Sequence, residues 1–477
     1  TYVDSVFNTL DMKEQIHFYI QDHYLKGTYN LFDNHRIHYI TFGSDDLNEN
    51  FISKKLLTRT KSQVDALKWE FLINNKMYVE SIFSRSNTYQ YYKNDEKGNY
   101  FVLNSNEYRL YQQFNITYKS YYMKSGYEVN VQDGYIKSNY NLDDVSSEDF
   151  KSYNAFLDFP YFIRESDEEK VETTLQGNSF SLFTELGGSI EKIFTNIGLR
   201  YKYYGIESSN GLSTRIMAGY LFNKQTSFYG GAGTHYAHPD IYYYASRDNQ
   251  DFKNSTSYTF ITGAKTRLYK NIHGQIECYY LIYEDLISKE GSLVKSEIKT
   301  NSGVDYYTVE SSGYTIGSEL FIKGSFNIIN GWMSYALSRS RRKHIDHGEY
   351  YSDYDQTHIF RLALSAKYKN FIPSLVWNIY STMPYTPITN STEEEDRYTL
   401  QFGKYNSSRF EVHHRLDFKL IAIVNEKVKF FVEIWNGYGS KKELYQHYDQ
   451  TTKYQNDNPE NKQDFPLVIW HGAEICF

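Results

Sequence analysis

Apolar and polar side chains alternate with a period of two along nearly the whole chain, and no other feature restricts the fold as much. Between Arg415 and Val424, the residues Leu416, Phe418, Leu420, Ala422 and Val424 share one face, opposite Arg415, Asp417, Lys419, Ile421 and Ile423. Just beyond, Val428, Phe430, Val432 and Ile434 alternate with Lys427, Lys429, Phe431, Glu433 and Trp435. Leu67, Trp69 and Phe71 do the same against Lys68 and Glu70, as do Tyr127, Val129 and Val131 against Glu128 and Asn130. Successive side chains of an extended strand point to opposite faces, so each run reads as a strand with one apolar and one charged face. The charged face needs water. A soluble sandwich offers it to bulk solvent, and a wide barrel offers it to a lumen.

The connections choose between these two. Strands are expected near 12–24, 34–45, 63–73, 77–92, 105–118, 121–136, 178–190, 194–206, 211–222, 226–237, 256–268, 273–287, 313–323, 327–339, 357–367, 371–382, 411–423, 426–436 and 464–477, which makes 19. Long links over 46–62, 137–177, 238–255, 288–312, 340–356, 383–410 and 437–463 interleave with short ones at 74–76, 223–225, 269–272, 324–326, 368–370 and 424–425. Only 207–210 is short where a long link is due. Brief turns at one end and extended loops at the other are the layout of a transmembrane antiparallel β-barrel. A propeller would show a repeat of about 40–50 residues, and none is present. The expected fold is therefore an all-β transmembrane barrel occupying 1–477 as one unit.

Composition agrees by exclusion. Tyr 50, Phe 31 and Trp 5 bring the aromatic share to 18%, too rich for a disordered chain. Mean hydropathy is −0.64, and no apolar run approaches the roughly 18 residues of a membrane helix. A net charge of −7 argues against a nucleic-acid partner, and Cys 2 excludes a disulfide framework or multi-cysteine zinc site. No cofactor and no catalytic constellation are expected.

Parity carries a further expectation. If the long links are extracellular, the last strand ends in the periplasm, and counting back makes the first strand run the same way. Closed bacterial barrels normally have an even strand number, so about three strands of an expected 22-stranded barrel would precede Thr1.

Several motifs resemble the C-terminal barrel of TonB-dependent outer-membrane receptors, including the SusC-like nutrient transporters. They are Gly198-Leu199-Arg200-Tyr201, then Tyr314 to Leu320 followed by Asn330-Gly331-Trp332-Met333-Ser334-Tyr335, and Tyr354-Asp355-Gln356-Thr357-His358. Further on come Met383-Pro384-Tyr385-Thr386-Pro387, with Met where the family has Gly, and Arg409 through His414-Arg415-Leu416-Asp417, with Asn436 after the next strand. The C-terminus, with Phe477 last, Ile475 two before it and Gly472 five before it, resembles the last-strand signal read by the barrel-assembly machinery. The resemblance implies an outer-membrane receptor of a Gram-negative bacterium, embedded in outer-membrane lipid, that takes up a nutrient such as a siderophore, glycan or peptide. It implies coupling to the TonB complex through a plug domain that has no counterpart in this sequence, and a surface lipoprotein as a further partner. A passive porin or structural barrel without a plug is the alternative.

Ligand contacts are expected at the aromatic cluster His235, Tyr236, His238, Tyr242, Tyr243 and Tyr244, where ring faces could stack on sugars or flat chelates; an outer aromatic girdle is the competing reading. Tyr229-Gly230-Gly231-Ala232-Gly233 lacks the Lys-Ser/Thr of a phosphate loop and reads as barrel wall. His344, Asp346, His347 and Glu349, like Glu393-Glu394-Glu395-Asp396, read as solvated loop rather than metal sites. Asn115-Ile116-Thr117 reads as a chance sequon. Cys278 is expected on the lipid face and Cys476 on the lumen face, unpaired.

Overall fold

The computed structural model describes residues 16–50, 56–94, 99–138, 171–205, 208–239, 253–289, 307–344, 348–394, 397–440, 443–447, 460–463 and 467–475. Among them there is no helix. Strands follow in the order β1 Ile16–Phe32, β2 His35–Asn50, β3 Leu56–Asn74, β4 Met77–Asn94, β5 Asn99–Tyr118, β6 Tyr121–Ser138 and β7 Val171–Ile190. Next come β8 Ile193–Tyr204, β9 Ser209–Leu221, β10 Thr226–Ala237, β11 Ser255–Tyr269, β12 Ile272–Lys289, β13 Tyr307–Phe326 and β14 Ile329–His344. The last third holds β15 Gly348–Tyr351, β16 His358–Ala366, β17 Phe371–Tyr380, β18 Pro384–Tyr385, β19 Ile388–Glu394, β20 Arg397–Phe402 and β21 Ser408–Arg409. It ends with β22 His413–Ile423, β23 Val428–Trp435, β24 Glu443–His447, β25 Glu460–Gln463 and β26 Val468–Ile475.

One 20-stranded sheet, all its pairs antiparallel, carries the architecture. Nineteen of its members are the expected strands; the other is β15, four residues long, which continues the β14 ladder above β16. Each expected strand pairs with the one before it and the one after it. Among the described residues β1 pairs only with β2 and β26 only with β23, so the two edges do not meet. Both edge strands run the same way, as the parity count requires.

The facing follows the sequence pattern. Phe418 and Leu420 are 43% and 45% exposed on the outer side, with Val432 beside them, while Asp417, Lys419 and Glu433 lie on the inner side. In β8 the exposed Ile193, Ile197 and Leu199 alternate with the covered Phe194, Asn196 and Arg200. Cys278 is exposed beside Ile276 and Tyr280 on the outer face, as expected. At the turn end, rings gather outside: His35 stacks on Phe71 at 4.3 Å and on Trp69 at 5.7 Å, and Tyr118, Phe222 and Tyr368 stand exposed. Amphipathic rings at the headgroup level are what a membrane barrel places there.

The turns are tight. Lys119, Glu191, Lys270, Asn327 and Lys369 each adopt a positive φ between 32° and 54° in the short links. That backbone suits the right-handed twist of flanking strands better than ordinary turns do, at a modest cost for a side chain with a Cβ.

Strand ends needed correction. The link expected over 46–62 is mostly ladder, since β2 and β3 stay paired up to Asn50↔Leu56. Around Asp45 and Arg59 both faces are polar, so the alternation disappears although the hydrogen bonds continue. The links over 340–356, 383–410 and 437–463 contain β15, the β18–β21 pair enclosing the β19–β20 hairpin, and the β24–β25 pair. The short link expected over 207–210 falls two residues earlier, between the end of β8 at Tyr204 and the start of β9 at Ser209.

Candidate ligand-facing site

The inner wall of β3–β9 is a lattice of paired charges. Glu128 on β6, 7% exposed at its side chain, receives Arg109 from β5 at 2.6 Å and lies 3.3 Å from Arg200 of β8. Asn130 donates to the same carboxylate at 2.9 Å. Lower down, Glu185 accepts from Tyr122 at 2.8 Å and Asn196 at 2.7 Å and pairs with Arg215. On the adjoining wall Lys68 bridges Glu70 at 2.9 Å and Glu80 at 2.6 Å. Charges in a lumen stay hydrated or paired, and here each carboxylate has its cation within reach. The lattice makes a stiff, polar, water-tolerant wall.

At the outer rim of β14–β22 the chain leaves the ladder and is held by side chains instead. Asp355, whose side chain is fully covered, pairs with Arg409 and accepts the amide of Ser340 at 2.5 Å. Arg409 also donates to the carbonyls of Asp355 and Thr382 at 2.7 and 2.9 Å. Pro384 pairs with Arg409, Tyr385 stacks on Phe410 at 4.3 Å, and Thr386 Oγ1 accepts the amide of Asn406 at 3.1 Å. Nearby, Asp417 accepts Arg415 at 2.8 Å and the amide of Asn436 at 2.8 Å. The motif residues spread over 354–436 thus meet as two staples. Their spacing in sequence records contacts among themselves.

The sequence-expected contact residues are divided by the structure. His235 and Tyr236 are neighbours in an unbroken β10–β11 register and point to opposite faces, His235 on the side of Tyr229. His238 lies just beyond β10 and stacks on Tyr204 at 4.2 Å, with Nδ1 3.0 Å from Asn254 Oδ1. Burial pushes its pKa below the ordinary histidine value, with Lys202 acting the same way and Asn254 opposing. Tyr242, Tyr243 and Tyr244 lie outside the described residues, as do Phe477, Cys476, Asp346, His347, Glu395 and Asp396. Gly472 falls on the inner face against the Phe431 ring, and Ile475 pairs with Val428. Tyr229 is in the wall, its hydroxyl donating to Glu277 at 2.7 Å. No group of three metal-capable side chains occurs among the described residues.

Sequence reasoning missed the lumen lattice and the rim staples. Arg200, Asp355, Arg409 and Asp417 were visible as motif residues, but their partners were not.

No family model matches the sequence, and no curated protein does. Solved structures match in shape. The outer-membrane transporter YddB from Escherichia coli aligns with a TM-score of 0.70 at 12% identity, over 97% of this chain and 69% of that one. The ferripyoverdine receptor of the outer membrane of Pseudomonas aeruginosa aligns at 0.71 and 11%, over 96% and 65%. The siderophore receptor PiuA from Acinetobacter baumannii aligns at 0.69 and 9%, over 97% and 75%. This chain accordingly spans between 65% and 75% of the length of those receptors. The fold is that of the barrel of TonB-dependent outer-membrane receptors.

Proposed function

We propose that the chain is the barrel of an outer-membrane receptor that captures a scarce or bulky nutrient and passes it inward under TonB control. The observation that carries this reading is the inner wall. A lumen lined by paired charges such as Glu128 with Arg109 and Arg200, inside an apolar outer band, suits passage of a solvated ligand. The likeness to transporters and siderophore receptors supports it. A plug supplies the TonB contact, the barrel-assembly machinery inserts the chain, and a surface lipoprotein meets the rim.

The test begins with folding and location. A cell-surface protein in the outer-membrane fraction, whose gel mobility shifts on boiling, is expected. A water-soluble monomer without that shift would defeat the membrane reading. Next, TonB depletion should abolish growth on the nutrient that induces the protein. Unchanged uptake would favour a passive porin.

A further inference from the structure

A guanidinium withdrawn from water needs an opposite charge, because its desolvation is otherwise uncompensated. Among the described residues the arginines that are not exposed are Arg59, Arg200, Arg341, Arg342, Arg409 and Arg415. Five have a carboxylate: Arg59 has Asp45 at 2.7 Å, Arg200 has Glu128 at 3.3 Å, Arg341 has Glu349 at 3.7 Å, Arg415 has Asp417 at 2.8 Å, and Arg409 has Asp355. Arg342 is the exception. Its Nη1 donates to Arg341 O at 3.1 Å and Ser340 Oγ at 3.4 Å, and its Nε and Nη2 meet no acceptor among the described residues.

The surroundings of Arg342 are built rather than accidental. It sits near the outer end of β14, paired with Gly313 of β13 on one side and Tyr350 of β15 on the other. Gly313 pairs in turn with Tyr283 of β12, so Tyr283, Gly313, Arg342 and Tyr350 form one row on the inner face. A Cβ on Gly313 would lie 2.5 Å from Arg341 O and 3.0 Å from both Cδ and Nη1 of Arg342. The glycine therefore leaves the space through which the guanidinium reaches over the Tyr283 ring, 4.8 Å from its centre. Tyr405 packs edge-on against Tyr350 at 5.0 Å and donates to Asp353 at 3.0 Å, and Asn406 donates to the same oxygen at 2.5 Å. Asp353, whose charge also acts on Arg342, thus has one carboxylate oxygen taken by Tyr405 and Asn406. On the outer face the residues after Leu337 are Arg339, Arg341 and Lys343, which sets this level above the apolar band, at the mouth. Burial holds the Arg342 guanidinium below its ordinary pKa, so an arriving anion would relieve it.

We propose that Arg342, stacked on Tyr283 and flanked by Tyr350, recognises a planar oxyanion, a carboxylate above all, on the ligand entering the mouth. This rests on the receptor reading in that a soluble ligand arrives from outside. A guanidinium with one free edge binds a carboxylate through two parallel hydrogen bonds, and Tyr283 keeps its plane oriented. A ligand carrying carboxylates is selected over a neutral oligosaccharide of similar size.

The experiment titrates the detergent-solubilised full chain with citrate, using maltohexaose as the neutral probe. Citrate should bind, more weakly as salt rises, and Arg342→Gln should lower its affinity at least tenfold. Gly313→Ala, which displaces the guanidinium but keeps the charge, should lower it less, and Arg361→Gln, an exposed inner-face arginine, should change it less than twofold. Each variant must keep the heat-dependent gel shift of the folded barrel. Absence of citrate binding at low salt, equal affinity in Arg342→Gln, or equal binding of maltohexaose would overturn the proposal. A protein that binds citrate through Arg342 but does not reside in the outer membrane would instead defeat the receptor reading alone.

Discussion

The two walls of the barrel reach their height by different means. Strands β1–β7 are 16 to 20 residues long and stay hydrogen-bonded to their tips. Strands β16, β17, β22, β23 and β26 are only 8 to 11 residues long. At about 3.3 Å per residue and a tilt near 40°, a 20-residue strand stands about 50 Å tall, roughly twice the apolar band. The first wall therefore carries its ladder well beyond the membrane, and the second replaces the ladder with irregular chain held by Asp355–Arg409 and Asp417–Asn436. A ladder spreads its stability over many equivalent bonds, and a staple concentrates it in one buried pair. The tall wall should tolerate single changes that the short wall does not.

The largest effect tests that difference directly. Asp355→Ala leaves the Arg409 guanidinium without its partner, and removing one member of a buried pair costs about 3–5 kcal/mol. Limited proteolysis should then cut within 381–412 far faster, with no change at 51–55 or 95–98. An unchanged cleavage pattern would break the comparison. Next, Leu420→Arg places a charge on the outer face of β22, at a cost of roughly 2–4 kcal/mol near mid-bilayer. Heat-resistant folded barrel should fall sharply, whereas Lys419→Arg on the inner face should leave it intact; equal tolerance would shift the register.

A smaller effect concerns β8–β11, between the two walls. Burial lowers the His238 pKa, so the neutral ring is the form the fold favours. Its contribution is full above the unfolded value of about 6.5 and is lost as pH falls through the depressed folded value. Hydrogen exchange at the outer ends of β8 and β10 should quicken between pH 7.5 and 5 while the β1–β7 tips stay unchanged. His238→Phe should remove the pH dependence while keeping a ring against Tyr204. The smallest expected change is at the turns. Glu191→Gly and Lys369→Gly, at φ 50° and 52°, should each shift stability by no more than about 1 kcal/mol, equally on both walls. Thermal unfolding in detergent would detect a difference larger than that.

Legibility in the sequence followed the solvent on each face. Where lipid lay outside and water inside, as at Leu416–Val424, alternation gave the strand, its facing and its neighbour. Above the membrane both faces meet water, so the pattern vanished around Asp45 and Arg59 although the strands continued. The rim motifs were visible as residues and invisible as contacts, since Asp355 and Arg409 lie far apart in sequence. Arg342 stood in a basic run, Arg341-Arg342-Lys343, with nothing to distinguish it from its neighbours.

What the sequence determined by itself was the all-β barrel, its nineteen spanning strands and the lipid and lumen faces, because a period of two is a local property of extended backbone. What only the tertiary structure decided was which charges meet. Glu128 finds Arg109 and Arg200, Asp355 finds Arg409, and Arg342 pairs with no carboxylate among the described residues, through registers that bring together strands distant in sequence. Pairing depends on distance in space, and a linear pattern carries no such distance.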